Sequence, residues 1–385
     1  MDVAIFGAGI AGLATAITLR DQGHRCHVYE RSRMAQDAGM GFILLPEGVA
    51  RLESYGVHLA GPEIGIELEG YSCRDAAGEV VFEQPIPSGS KAVRRRDLTA
   101  AMIHALGGED ALIYAELSEL QFDEEFHVRA AHFCSGASIP KIKADLYVSA
   151  EGVNSRARQA LFPDWPMAPA RVQELVAIVR CDRALEWTGN RLSKFHAAEG
   201  GIALGILPVD REHVVWYMQF DSHRYLMPPA ALVADSQRRA DARHSFVSQL
   251  VGKWAHPVPS LLAGTDFTRV HLWRPVDTDL IPCFHRGNLT LVGDSAHPMS
   301  PFTSQGVSAA IADAVVLGQV TSGVKSGTEL EKALCRYSER RRAECAPYIA
   351  KGRQLSANFL KPLSEDSAVL PIALKTNYGE ARESF

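Results

Sequence analysis

An α/β fold is predicted for this 385-residue chain: a unit built on a parallel sheet, interrupted by a mostly antiparallel β-sheet module and closed by C-terminal helices. Three observations predict it. The chain opens as strand, glycine-rich turn, helix and strand. From 167 to about 275, apolar or alternating runs are separated by turns, as in antiparallel sheets. Beyond Gly306 the periodicity becomes helical.

Asp2–Phe6 reads as a short buried strand that runs into Gly7-Ala8-Gly9-Ile10-Ala11-Gly12, a GxGxxG pattern. Gly7 permits the tight turn, Gly9 lets backbone approach a pyrophosphate, and Gly12 lets helix and strand pack closely. Ile10 and Ala11 open an apolar helix that Gly23 stops; its free N–H groups and positive dipole end suit phosphates. A second strand, 25–29, ends at Glu30, with Arg31 beside it. Glu30 stands where a carboxylate accepts hydrogen bonds from the hydroxyls of an adenosine ribose. A Rossmann-type dinucleotide site is therefore expected.

Composition is that of a globular protein: 46% hydrophobic, 22% charged, net charge −5. No apolar run is long enough to span a bilayer, and the charge balance points to neither nucleic acid nor a membrane anchor. The cysteines at 26, 73, 134, 181, 283, 335 and 345 form no CxxC pair, so no metal site and a reducing compartment are expected. No targeting segment is read, and the expected location is cytoplasmic.

Further along, Gly39-Met40-Gly41-Phe42 with Pro46 reads as a loop, and a helix follows from Glu47 to Tyr55. Residues 64–84 read as strands around a turn at Asp75–Gly78, and 85–89 as a linker. A helix is expected from Asp97, as N-cap, to Leu106. Strands return at 111–134 and 144–150. In the interrupting module, strands are expected at 174–181, 193–198, 201–208 and 213–220, and a helix near 244–254. In the 213–220 strand, His213, Val215, Tyr217 and Gln219 share one face and Trp216, Met218 and Phe220 the other. A short strand at 289–292 precedes helices at 306–320 and 330–356, and the tail after Leu360 has weak periodicity.

Two later motifs specify the dinucleotide. Leu289-Thr290-Leu291-Val292-Gly293-Asp294-Ser295-Ala296-His297-Pro298 resembles the second FAD fingerprint of class A flavoprotein monooxygenases, the para-hydroxybenzoate hydroxylase-like family. The resemblance implies that Asp294 bonds the ribityl side of FAD and that Gly293 lets the strand end approach it. Pro301-Phe302-Thr303-Ser304-Gln305-Gly306 resembles the family's loop beside the isoalloxazine; with Gly306 and Val307 it opens a helix whose dipole would stabilise a reduced flavin. Ala150-Glu151-Gly152-Val153-Asn154-Ser155-Arg156-Ala157-Arg158 resembles the family's D-G-x-x-S-x-x-R element, with Glu151 replacing Asp. Ser304 stands where many members have Gly. Arg95 matches the family's R-x-x-L at a helix start, which implies a place near the FAD phosphates or ribose; Gly39, Gly41, Leu52 and Gly56 match a segment that frames the flavin. Asp313-Ala314 and the 337–342 stretch fit the closing helices, where packing is the expected role, as it is for His297.

The resemblance covers about residues 1–355. It implies a discontinuous FAD-binding domain (1–70, 91–166 and 269–355), a substrate-binding sheet domain (71–90 and 167–268) and a tail at 356–385. It also implies the activity. NAD(P)H, a transient co-substrate, reduces FAD. Oxygen then forms a flavin C4a-hydroperoxide that hydroxylates or epoxidises a small aromatic or polyketide-like substrate. Tyr217, His196 and His271 are the candidates for touching substrate, and no general base is named. The alternatives are an isoprenoid reductase and a flavoprotein keeping FAD as scaffold for a non-redox cyclisation. A halogenase is disfavoured because no W-x-W-x-I-P segment occurs.

Overall fold

The computed structural model describes residues 1–32, 41–59, 64–134, 141–325 and 327–364. The tail's last residues, 365–385, and Gly39 lie outside the described residues.

Asp2–Phe6 and Arg25–Glu30 are adjacent parallel strands, and Ile10–Asp21 is the helix between them. Leu146–Ser149 pairs with the other edge of the first strand, and Leu289–Leu291 continues the sheet in parallel. Leu112–Tyr114 closes the far side. The order places the chain's first strand centrally, so its C-terminal end and those of 146–149 and 289–291 open onto one crevice, the usual ligand position in such sheets. Helix Gly306–Thr321 packs directly on helix 10–21.

The second large sheet has seven strands, in the order 271–273, 172–180, 213–221, 202–208, 191–196, 70–75 and 80–85. Every neighbouring pair is antiparallel except 191–196 with 70–75. Alternation settles its two faces. Trp216, Met218 and Phe220 pack with Phe246, Val247 and Leu261 into an apolar core against helices Ser236–Val251 and Val258–Ala263. Trp216 Nε1 donates to Thr265 Oγ1 at 2.9 Å, so the buried indole leaves no unmet donor. The opposite face carries Val215, Tyr217 and Gln219 and turns toward the crevice.

Three local expectations are corrected. Gly41–Leu44 is a strand, paired antiparallel with an unexpected one, Lys91–Arg94. Gly41 marks close approach rather than a turn: a Cβ there would sit 2.8 Å from Val209 Cγ1 and 2.9 Å from Val215 Cγ2. The next helix spans Arg95–Ala105, so Asp97 lies in its first turn and faces Arg94 and Arg96 instead of capping. The module's helix starts at Ser236 because the Asp235 carboxylate accepts from Arg238 N–H at 2.8 Å, a cap hidden in an arginine-rich stretch. The last helix, Gly327–Phe359, runs past Pro347 as one element. Among the described residues no helix is long and apolar enough to cross a membrane.

Candidate active site

A single cavity of about 330 Å³ joins the ends of the parallel strands to the inner face of the seven-stranded sheet. At one end it is lined by Gly9, Ile10, Ala11, Arg95, Gly293 and Asp294, all expected for the dinucleotide. Gly41, Pro301, Gly306 and Val307 line the same space.

Gly7 shapes this end without lining it. Its φ is +104°, and a Cβ there would overlap the Ala150 carbonyl. A Cβ on Gly9, by contrast, would meet nothing nearer than the tip of Arg95, at 3.6 Å. The turn is therefore clamped on the sheet side and open on the cavity side. Gly12 packs onto the Gly7 carbonyl and Ala150, as close helix–strand packing requires. Glu30 is held at the strand end by the N–H groups of Ala8 (2.8 Å) and Ser32 (3.1 Å). Glu30 and the exposed Arg31 are not among the residues lining the cavity.

Glu151 is turned away from the cavity and ties its own loop together. Its carboxylate accepts from Ser149 Oγ at 2.9 Å, Ser155 Oγ at 3.1 Å and Ala157 N–H at 3.1 Å, at the start of helix Arg156–Leu161. Its neighbour Gly152 lines the cavity instead. Arg158 is buried and donates to the carbonyls of Asp294 (3.2 Å), Ser295 (3.3 Å) and Val153, which locks this element to the 293–297 turn.

Behind that turn lies a buried charge cluster. Asp313 accepts from Gly293 N–H (2.6 Å), pairs with His297 Nε2 (2.7 Å), and receives Arg341 Nε (2.6 Å). Burial alone would raise the Asp313 carboxyl, but His297 and Arg341 override it and hold it below its usual range. Burial likewise opposes a charge on His297, and Asp313 reverses this and raises its pKa well above the ordinary value. His297 is thus a structural cation, and Asp294, one turn away, is left free to face the cavity. Burial raises the Asp294 carboxyl, with His297, Arg95 and Arg158 pulling the other way.

The loop into helix 306–321 carries its own cost. Ser304 has φ 51° and ψ 19°, the left-handed region that glycine occupies freely, at a penalty of about 1 kcal/mol for a side-chain-bearing residue. The next residue, Gln305, is fully buried with both amide atoms unpartnered among the described residues. Gly306, where a Cβ would meet nothing within 4 Å, leaves the helix N-terminus open to the cavity that Ser304, Gly306 and Val307 line, which fits a polar, planar ring system docking there. The residues present fit FAD.

The sheet end is lined by Tyr71, Glu174, Lys194, His196, Tyr217 and Gln219, with Phe302 and Phe359 across from them. Tyr217 and His196, both expected, are in the cavity; His271 is exposed on the edge strand 271–273 and outside its lining. His196 is buried, its Nε2 has no partner among the described residues, and burial with the nearby Lys194 charge drives its pKa well below normal, so it is neutral. Sequence reasoning missed Lys194 and Glu174. The available signal was that Lys194 and His196 share a strand face.

A family model described as FAD binding domain matches residues 1–349. The FAD-dependent urate hydroxylase of Klebsiella pneumoniae is 26% identical over 363 residues, covering 92% of this chain and 89% of its own. Phenazine 1,6-dicarboxylic acid hydroxylase PhzS of Lysobacter antibioticus is 26% identical over 370 residues, covering 91% and 89%. The crystal structure of Klebsiella pneumoniae HpxO complexed with FAD and uric acid shares the fold, with a TM-score of 0.80 at 24% identity, over 93% of this chain and 88% of that one. With the glycine turn, the 293–297 strand end and the loop before helix 306–321 all converging on one cavity, the chain belongs to the FAD binding domain family and is an FAD-dependent oxidoreductase of the para-hydroxybenzoate hydroxylase-like class.

Proposed function

We propose that this protein uses NAD(P)H and O2 to hydroxylate a small aromatic or polyketide-like ring. The observation that carries the reading is the continuity of one cavity from Gly9, Arg95 and Asp294 to Tyr217, His196 and Lys194. Bound FAD would supply electron transfer from the nicotinamide and activation of oxygen.

In this reading the chain's own residues divide the work. Gly9 and Arg95 take the phosphate-bearing half of the cofactor, Asp294 its ribityl hydroxyls, and Gly306 and Val307 the ring edge through the helix N-terminus. Glu30 takes the adenosine ribose, with Arg31 at the rim. Glu151 acts indirectly, by fixing the loop that presents Gly152. Leu192, Leu207, Val215, Phe302 and Phe359 supply apolar wall, so water is displaced when a ring enters. Neutral His196 offers its free Nε2 to a substrate group.

The test is oxygen consumption by purified protein with FAD, NADH or NADPH and a panel of phenols, followed by mass spectrometry of products formed under 18O2. At least one ring should stimulate nicotinamide oxidation and leave carrying one labelled oxygen. Products that are reduced or cyclised without label would assign the chain to the reductase or scaffold alternative.

A further inference from the structure

We propose that Lys194 is the recognition group for an ionised oxygen on the substrate ring, and that Glu174, reached through Gln219, is its built-in counter-ion. The proposal rests on the reading that this cavity takes an aromatic substrate.

The arrangement follows from strand register. Glu174 lies opposite Gln219, and Gln219 opposite Ala203. Ala203 in turn faces His196, while Lys194 and Tyr217 flank Gly205 from either side. The intervening strand 202–208 therefore sets Ala203 and Gly205 on the face shared with Lys194 and Gln219, and a Cβ on Gly205 would overlap the Tyr217 ring that lies over it. These small residues let long side chains from the neighbouring strands cross over the strand. Lys194 reaches across the strand to Gln219 Oε1 at 2.6 Å, and Gln219 Nε2 donates to Glu174 Oε1 at 2.6 Å.

The direction of this relay is fixed by chemistry. Lysine can only donate, so the amide must turn its oxygen to Lys194 and its NH2 to Glu174. Among the described residues one Nζ donor is used, by Gln219, which leaves two for a ligand. The ammonium also lies 5.3 Å from the Phe302 ring centroid and 5.6 Å from that of Phe359, so a ring bound through its oxygen would lie against aromatic walls beside the 301–304 loop.

Charge accounting favours an anion. The titratable groups facing Lys194 are Tyr71 and Cys73 from strand 70–75, Tyr217 and Glu174 from the strands beyond, and His196 on its own strand. Burial raises Tyr71, Cys73 and Tyr217 and lowers His196, so these four are neutral near pH 7. Glu174 is the one carboxylate among the described residues on this wall. Burial brings Lys194 down to about 8 and Glu174 up to about 7, a counter-ion pair held one amide apart. An arriving anion takes the place of the distant carboxylate at Lys194 and keeps the ammonium charged. A neutral ring cannot.

The test uses FAD-loaded protein and four probes: 4-nitrophenol and benzoate, each an oxyanion, and their uncharged counterparts nitrobenzene and benzamide. Wild type should bind at least one anion more tightly than its neutral partner, and which of the two wins distinguishes a phenolate from a carboxylate anchor. Lys194→Met should erase roughly 10- to 100-fold of that preference, the loss of one charge-assisted hydrogen bond, while nitrobenzene binding stays within about twofold. Glu174→Gln, nearly isosteric, should shift the loss of anion preference to lower pH, because the Glu174 carboxylate helps keep Lys194 charged, which a packing role would not do. A preference that is absent in wild type, survives in Lys194→Met, or keeps an unshifted pH profile in Glu174→Gln would overturn the proposal. The 18O2 labelling tests the oxygenase reading separately, because binding of these probes reports on Lys194 whether or not a ring is oxygenated.

Discussion

Asp313→Ala is expected to destabilise the protein by about 3–5 kcal/mol, seen as a lower urea midpoint with little change in slope. The reason is what remains behind. Asp313 is fully buried and accepts three hydrogen bonds, from Gly293 N–H, His297 and Arg341. Without it, Arg341, only 1% exposed, keeps a single ionic partner, Glu344, which lies toward the surface. His297 loses the group that holds it charged, and the 293–297 turn loses its anchor to the helix. FAD retention should therefore fall together with stability. The double variant Asp313→Ala/Arg341→Met should recover part of the loss, since the stranded cation is then gone. A single-variant cost under about 1 kcal/mol would show that the cluster is not what secures the strand end.

Gly7→Ala has the second largest expected effect, about 2–4 kcal/mol from left-handed backbone and steric overlap together. At φ +104° a methyl group would overlap the Ala150 carbonyl, prising the glycine turn from the strand end beside it. Ala150 and, two residues beyond Gly7, Gly9 line the cavity, and a shift of a few tenths of an ångström misplaces the N–H groups that meet phosphate. The expected result is loss of bound flavin under conditions where far-UV circular dichroism still reports folded protein. Wild-type flavin affinity in Gly7→Ala would contradict this geometry.

How much of this was legible in the sequence depended on whether local chemistry or tertiary packing decides each feature. The opening strand–turn–helix–strand is local: glycine spacing, an apolar helix and a terminal acid specify it, and the structure follows it closely. The 213–221 strand was readable as two faces, because a period of two needs no tertiary knowledge. Which face meets the cavity was not readable, since that depends on helices 236–251 and 258–263 packing on the other. Strands 41–44 and 91–94 were missed because a glycine within a strand and a basic strand end both mimic loops. Only the pairing between them, and Val209 and Val215 crowding Gly41, reveals the sheet. Lys194 and Glu174 were invisible as a pair. They lie twenty residues apart on strands separated by two others, and only sheet register brings them to one amide. Ser304, conversely, was visible as a departure from glycine, and its left-handed backbone explains why glycine is favoured there.

The central claim, that FAD lies in this cavity with its phosphates at the glycine turn and its ribityl chain at Asp294, is tested most directly by measuring FAD dissociation constants. Purified protein should be yellow or bind added FAD stoichiometrically. Asp294→Ala and Arg95→Ala should each weaken binding by about tenfold or more, the loss of one charge-assisted contact, while melting temperature measured without FAD stays close to wild type. A colourless protein that ignores added FAD, or affinity unchanged in both variants, would contradict it.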